Sequence, residues 1–192
     1  NDGVSCDGPA ESFTITVNPT AQVNIPADQV VCNTELTTML FTTENTVGVT
    51  TYAWTSDIEI GAGLTGAADG FPVLYTAINL GTEPLVATII VTPTFTNDGV
   101  GCVGPTESFT ITVNPTGQVD ITADQVVCNA EATTVVFTTE NTVGVTAYAW
   151  TSDIEIGAGL TGAGDMSFTA ANEGTDPLVA TIIVTPTFTN EG

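Results

Sequence analysis

Apolar and polar residues alternate without a break through Phe13-Thr14-Ile15-Thr16-Val17-Asn18-Pro19, and the same alternation returns at residues 109–115. A period of two sends successive side chains to opposite faces of an extended chain, so each run predicts a half-buried strand ended by proline. A longer run places Leu85, Ala87, Ile89 and Val91 on one face, with Thr88, Thr92, Thr94 and Thr96 on the other. Asn97-Asp98-Gly99 then turns it back towards residues 109–113, which predicts a hairpin. Residues 22–25, 29–32, 37–42 and 49–57 read as further strands, punctuated by Pro26, Asn33 and Asn45. Nowhere do apolar residues hold a helical period for three turns. Seven or so short strands with turn signals between them predict an all-β chain of Greek-key sandwiches.

The pattern occurs twice. Residues 1–66 and 97–162 differ at only eleven positions, among them Met39/Val135, Leu40/Val136 and Pro26/Thr122. Such swaps keep the apolar pattern, so each copy specifies one fold, and self-similarity at this period marks a domain array. Between Ala67 and Tyr75 the first copy carries three extra residues, around Gly70-Phe71-Pro72-Val73, which shortens the period from 96 to 93. A length change there predicts a loop or an edge. The chain runs out of phase with the repeat, since Asn1-Asp2-Gly3-Val4 recurs at 97–100 and Thr189-Asn190-Glu191-Gly192 begins the motif again. That phase divides the chain into residues 1–20, a closing strand belonging to a neighbouring domain, residues 21–116, a complete sandwich, and residues 117–192, a second sandwich without its own closing strand. It also reads as a processed or excerpted segment.

Charge narrows the chemistry. The chain has no Lys, Arg or His against 22 Asp and Glu, a formal net charge of −22. Nucleic acids and anionic membranes reward clustered basic residues and are therefore excluded as partners. Histidine bases, amine nucleophiles, phosphate-loop lysines and histidine metal sites are absent as well. A carboxylate pair of glycosidase type is the remaining enzymatic option, and nothing singles out such a pair, so the chain reads as a non-enzyme. Thr fills 38 positions while charged residues make up 11% of the chain, which leaves a hydroxyl-rich surface suited to extended structure. The longest apolar stretches are of strand length, so no membrane insertion is expected. Two cysteines per repeat, Cys6 and Cys32, then Cys102 and Cys128, without metal-type spacing, predict disulfides and an extracellular, oxidising location.

Two constellations invite a second reading. Tyr52-Ala53-Trp54 and Tyr148-Ala149-Trp150 each place both aromatics on one strand face, either as core beneath two sheets or as an exposed sugar-stacking platform. Asp57 with Glu59, and Asp153 with Glu155, lie in Asp-Ile-Glu-Ile, where i and i+2 carboxylates share a strand face. Joined by Asp69 or Asp165 they are candidate calcium ligands, the one cofactor the composition suggests. The alternative is a solvated acidic edge that discourages sheet-to-sheet aggregation.

The unit resembles the PKD-like and immunoglobulin-like repeats found in tandem in large secreted surface proteins of gliding and biofilm-forming Gram-negative bacteria. Val31-Cys32-Asn33, Tyr52-x-Trp54, the run from Pro84 to Pro93, and Cys102-x-Gly104 followed by residues 109–115 carry the resemblance, in that order and spacing. It departs from the polycystic-kidney-disease pattern at Thr55-Ser56-Asp57-Ile58, where Asp-Phe-Gly-Asp usually follows the tryptophan. The resemblance implies tandem sandwiches of about seven strands and a structural role in a cell-surface fibre, pilus-like filament or adhesin stalk. A module binding glycans or other cells is the second function it implies.

A sandwich without its last strand exposes unpaired backbone and open core, a state that invites a partner strand. Residues 11–19 of another copy match the missing strand, with Phe13, Ile15 and Val17 in the places of Phe109, Ile111 and Val113. Separate subunits joined head to tail, or one continuous array, both satisfy this pattern. Pairing of first and last strands predicts a Cys32–Cys102 disulfide, with Cys6–Cys32 as the competitor, and a donated strand would bring Cys6 to Cys128.

Overall fold

The computed structural model describes residues 2–120 and 122–190; Asn1, Glu191 and Gly192, the outermost residues of the repeated turn motif, lie outside them. Thirteen strands and no helix occur among the described residues. In the first repeat these are β1 (Gln29–Cys32), β2 (Leu36–Met39), β3 (Val49–Ser56), β4 (Thr65–Ala68), β5 (Val73–Thr76), β6 (Leu85–Asn97), β7 (Val100–Val103) and β8 (Glu107–Asn114). One sheet has the order β1-β8-β6-β3-β4, with β7 also on β6, and a second pairs β2 with β5. The two sheets share one core, in which Met39 and Tyr75 from the smaller meet Trp54, Ile89, Val91, Phe109 and Ile111 from the larger.

β6 organises the large sheet. Ala87, Ile89, Val91 and Phe95 are buried on the face the alternation predicts. Its hairpin to β7 turns on Asp98 and Gly99, whose φ values of 48° and 77° both lie in the left-handed region that two-residue hairpin turns of matching twist require. Pro93 sits in mid-strand with no N–H to offer, and there the partner strand breaks into β7 and β8. The gap is bridged by Gly104, whose N–H donates to the Pro93 carbonyl at 3.0 Å. Gly104 cannot be replaced cheaply, because a Cβ there would run into the Ala21 carbonyl. Gly66 of β4 similarly lies against the Trp54 indole, where a Cβ would overlap the ring.

In the second repeat, β10 (Val145–Ser152) pairs with β11 (Thr161–Ala163) and β13 (Ile182–Thr189), and β9 (Ala132–Val135) pairs with β12 (Met166–Thr169). These repeat β3, β4, β6, β2 and β5. Residues 125–128 form no strand although they are identical in sequence to 29–32, and the positions equivalent to β7 and β8 fall after residue 192.

Several expectations change. Residues 22–25 form only a single bridge, Asn24 to Thr42, because no neighbouring strand extends that far. β2 stops at Met39, and β3 stops at Ser56, short of the predicted Asp57. β4 and β5 were not legible as strands, and the three extra residues of the first copy lie in their connection. Residues 13–19 keep the alternation yet form no strand, since extended backbone becomes a strand only beside a partner.

Candidate functional site

β8 is held from both sides. It runs parallel to β1, with Ile111 opposite Gln29 and Asn114 opposite Cys32, and antiparallel to β6, with Val113 opposite Leu85 and Phe109 opposite Ile89. Phe109, Ile111 and Val113 enter the core, where Phe109 meets Phe41 edge-on at 6.2 Å. Two side chains tie its backbone: the Thr110 N–H donates to Asp28 Oδ1 at 2.7 Å, and Asn79 Nδ2 donates to the Val113 carbonyl at 2.7 Å. Asn79 is itself buried, donates also to the Glu83 carbonyl and accepts from the Gly81 N–H. Sequence reading missed this asparagine, whose only signal is a lone polar residue between Ile78 and Leu80.

The second repeat keeps only part of these surroundings, along an open edge. On the side away from β10, β13 has no strand partner among the described residues, and residues 178–181, equivalent to the start of β6, form no strand. Val126 and Val127 are exposed, and Ile182 and Val184 are only half-buried, where Val31, Ile89 and Val91 are buried. Fourteen buried residues form the first core, whereas Phe137, Trp150 and Met166 alone form the second. Asn172 keeps the bonds of Asn79 to Gly174 and Asp176, with the one to the closing strand unmatched.

The segment that matches this edge lies at the other end of the chain. Phe13, Ile15 and Val17 are 86%, 78% and 86% exposed, whereas Phe109, Ile111 and Val113 are 4%, 0% and 0% exposed. Residues 11–19 and 107–115 have one sequence, so β8 shows how that sequence is held when it has strand partners on both sides. Transferring its register sets Val17 opposite Leu178 and Val127, Ile15 opposite Ala180 and Gln125, and Phe13 opposite Ile182.

Asparagines mark the joints between successive repeats. Asn18 Nδ2 donates to the Asn97 carbonyl at 3.3 Å and Asn97 Nδ2 donates to Asn18 Oδ1 at 3.0 Å. The equivalent Asn114 and Asn190 repeat the exchange at 3.4 and 3.2 Å. Around the second joint Asn33 Nδ2 donates to Thr116 Oγ1, Asn141 Nδ2 to the Thr82 carbonyl, and the Thr142 hydroxyl to Glu83.

The candidate calcium ligands serve the backbone. With β3 ending at Ser56, Asp57 and Glu59 leave the strand and no longer share a face as i and i+2. Asp57 Oδ1 accepts the Thr88 N–H at 2.7 Å, and Glu59 Oε1 accepts the N–H groups of Gly61 and Gly63 at 2.7 and 3.0 Å. Asp153 and Glu155 repeat these bonds to Thr181, Gly157 and Gly159. Asp165 accepts the Phe137 N–H, and Asp69 is exposed in the connection after β4. Among the described residues no three acidic or cysteine side chains gather into a metal-binding set.

The cysteine expectations are corrected. All four thiols are free. Cys32 lies opposite Asn114 at one end of the large sheet, and Cys102 lies opposite Phe95 at the other. Ten residues of β6 separate those ends, roughly 30 Å at the rise of a strand, whereas a disulfide needs Cα atoms within about 7 Å. Cys32–Cys102 is therefore ruled out by register. A donated strand would separate Cys6 from Cys128 in the same way, with Cys6 opposite Phe188 and Cys128 opposite Asn18.

The aromatic pairs belong to the core. Tyr52, Trp54 and Trp150 are buried, so the stacking platform, which needed exposed rings, is not formed by them. Burial raises the Tyr52 phenol, against the opposing hydrogen bond to Thr43, and pushes the Tyr75 phenol up to about 12. Neither a protein-family model nor a curated protein sequence matches this chain.

Proposed function

We propose that the protein is a structural subunit of an extracellular bacterial fibre, made of immunoglobulin-like, PKD-like sandwiches that are completed head to tail. Residues 11–19 of one copy enter the groove of the second repeat of the next, 117–190, and take the place that β8 holds in 21–116. The observation that carries this reading is an exposed apolar segment, residues 11–19, and an edge of β13 without a strand partner among the described residues, together with the same sequence docked as β8 inside the same chain. Burying Phe13, Ile15 and Val17 contributes roughly 1.5–3 kcal/mol each, which offsets the ordering of a nine-residue segment with the help of two rows of backbone hydrogen bonds. A contact between different ends of the molecule does not close on itself, so it propagates into a filament. Composition supports a structural role: a hydroxyl-rich surface of charge −22 without bases or amine nucleophiles suits a solvated stalk. The cysteine pattern supports an oxidising compartment.

Negative-stain microscopy of the purified 192-residue chain tests the architecture. Beaded fibres with two beads per subunit are expected, and uniformly single, two-lobed particles at high concentration would contradict it.

A further inference from the structure

The free thiols have a use that neither repeat provides alone, and it rests on the strand-donation reading. In the docked register, Cys6 of a donor lies opposite Phe188 of the acceptor, just as Cys102 lies opposite Phe95. Phe188 is two residues from Asn190, which exchanges side-chain hydrogen bonds with Asn114, and Asn114 is the strand neighbour of Cys32. The donor's Cys6 thus arrives at the joint where the acceptor's Cys32 already sits. The second pair follows from the same relation one repeat further along. Cys128 of the acceptor becomes the strand neighbour of the donor's Asn18, which donates to the carbonyls of Asn97 and Val100 at 3.3 and 3.4 Å, at the hairpin that carries Cys102.

We infer that each joint of the fibre is locked by two intermolecular disulfides, Cys32 to Cys6 and Cys128 to Cys102 of the incoming copy. Cys32 and Cys128 are exposed, and Cys32 alternates with core-facing Val31, so both thiols are open to an oxidant. In an isolated chain the register holds Cys32 and Cys102 at opposite sheet ends, so that pairing does not compete with the joint. The chemistry is thiol–disulfide exchange with a small disulfide oxidant. One thiolate attacks oxidised glutathione and releases one reduced glutathione; the second thiolate then displaces the other, so two thiols lose two protons and two electrons, and the oxidant becomes two thiols.

The test uses equal amounts of 14N- and 15N-labelled 192-residue chain, assembled under reducing conditions, sized by light scattering and then oxidised with glutathione disulfide. Non-reducing digestion and mass spectrometry should yield Cys6–Cys32 and Cys102–Cys128 peptides, half of them isotopically mixed. Cys32→Ser should abolish the first pair, leave the second, and leave the size of the reduced assembly unchanged. Assemblies that form but keep free thiols, or that give Cys32–Cys102, Cys6–Cys128 or only unmixed peptides, would overturn the inference while sparing strand donation. Failure to assemble under reducing conditions would overturn both.

Discussion

Asn79 shows how one polar residue governs an apolar interior. It donates to the Glu83 and Val113 carbonyls at 2.8 and 2.7 Å, so it clamps the closing strand to the loop before β6. Asn79→Ala leaves those groups unmatched and should cost about 1–3 kcal/mol in urea unfolding of the first repeat. Asn172→Ala should instead weaken assembly about tenfold, because in the proposed joint its corresponding bond would go to the Val17 carbonyl of an incoming copy. Tyr75 offers a pH test with its control built in, since the second repeat has Phe168 in its place. Its hydroxyl is buried with no hydrogen-bond partner, and burial pushes the phenol from 10 up to about 12. The folded form therefore keeps a proton that the unfolded form loses, and the stability present below pH 10 is lost as pH rises towards 12. Tyr75→Phe should flatten that alkaline loss while leaving the melting temperature at pH 7 unchanged or slightly higher.

Among the elements, β8 and residues 11–19 are one sequence in two circumstances, and β1 and residues 125–128 are another such pair. Alternation at Phe13, Ile15 and Val17 made the strand legible, and the repeat made its intended position legible. Whether the strand forms was not written in residues 11–19, because a strand's hydrogen bonds belong half to its neighbour. The connections were the obscure part. Thr65-Gly66-Ala67-Ala68 carries no apolar signal, and its place against Trp54 rests on the lack of a Cβ at Gly66. Gly66→Ala should cost about 1–3 kcal/mol through overpacking, read as a lower urea midpoint. The carboxylates were read through the wrong element: Asp57 and Glu59 were placed on β3, whereas the strand ends before them and they close turns. Register, which an intramolecular disulfide depends on, was equally hidden, since parallel pairing of β1 with β8 sends Cys32 away from Cys102. Ile15→Asp places a charge in the proposed docked core and should lower assembly more than a hundredfold, while near-ultraviolet dichroism from the first repeat's Trp54 stays unchanged.

At the scale of the whole molecule, a net charge of −22 with no basic residue makes every joint a contact between like-charged surfaces. Screening relieves that repulsion, so assembly should strengthen between about 10 mM and 150 mM NaCl, where the Debye length falls from about 30 Å to 8 Å. Calcium at matched ionic strength should add a modest, non-saturating increase, since the acidic side chains do not converge on an ordered set; a sharp stoichiometric transition by calorimetry would contradict this. In the proposed fibre the open edge of β13 is filled by residues 11–19 of a neighbour, in the register of β8. Hydrogen–deuterium exchange on the reduced, assembled chain tests it most directly. Amides in residues 11–18, 125–128 and 178–181, which form no strand within one chain, should become protected on assembly to the level of their counterparts in 107–114, 29–32 and 85–88. Assemblies in which residues 11–18 exchange as fast as in the monomer would contradict it.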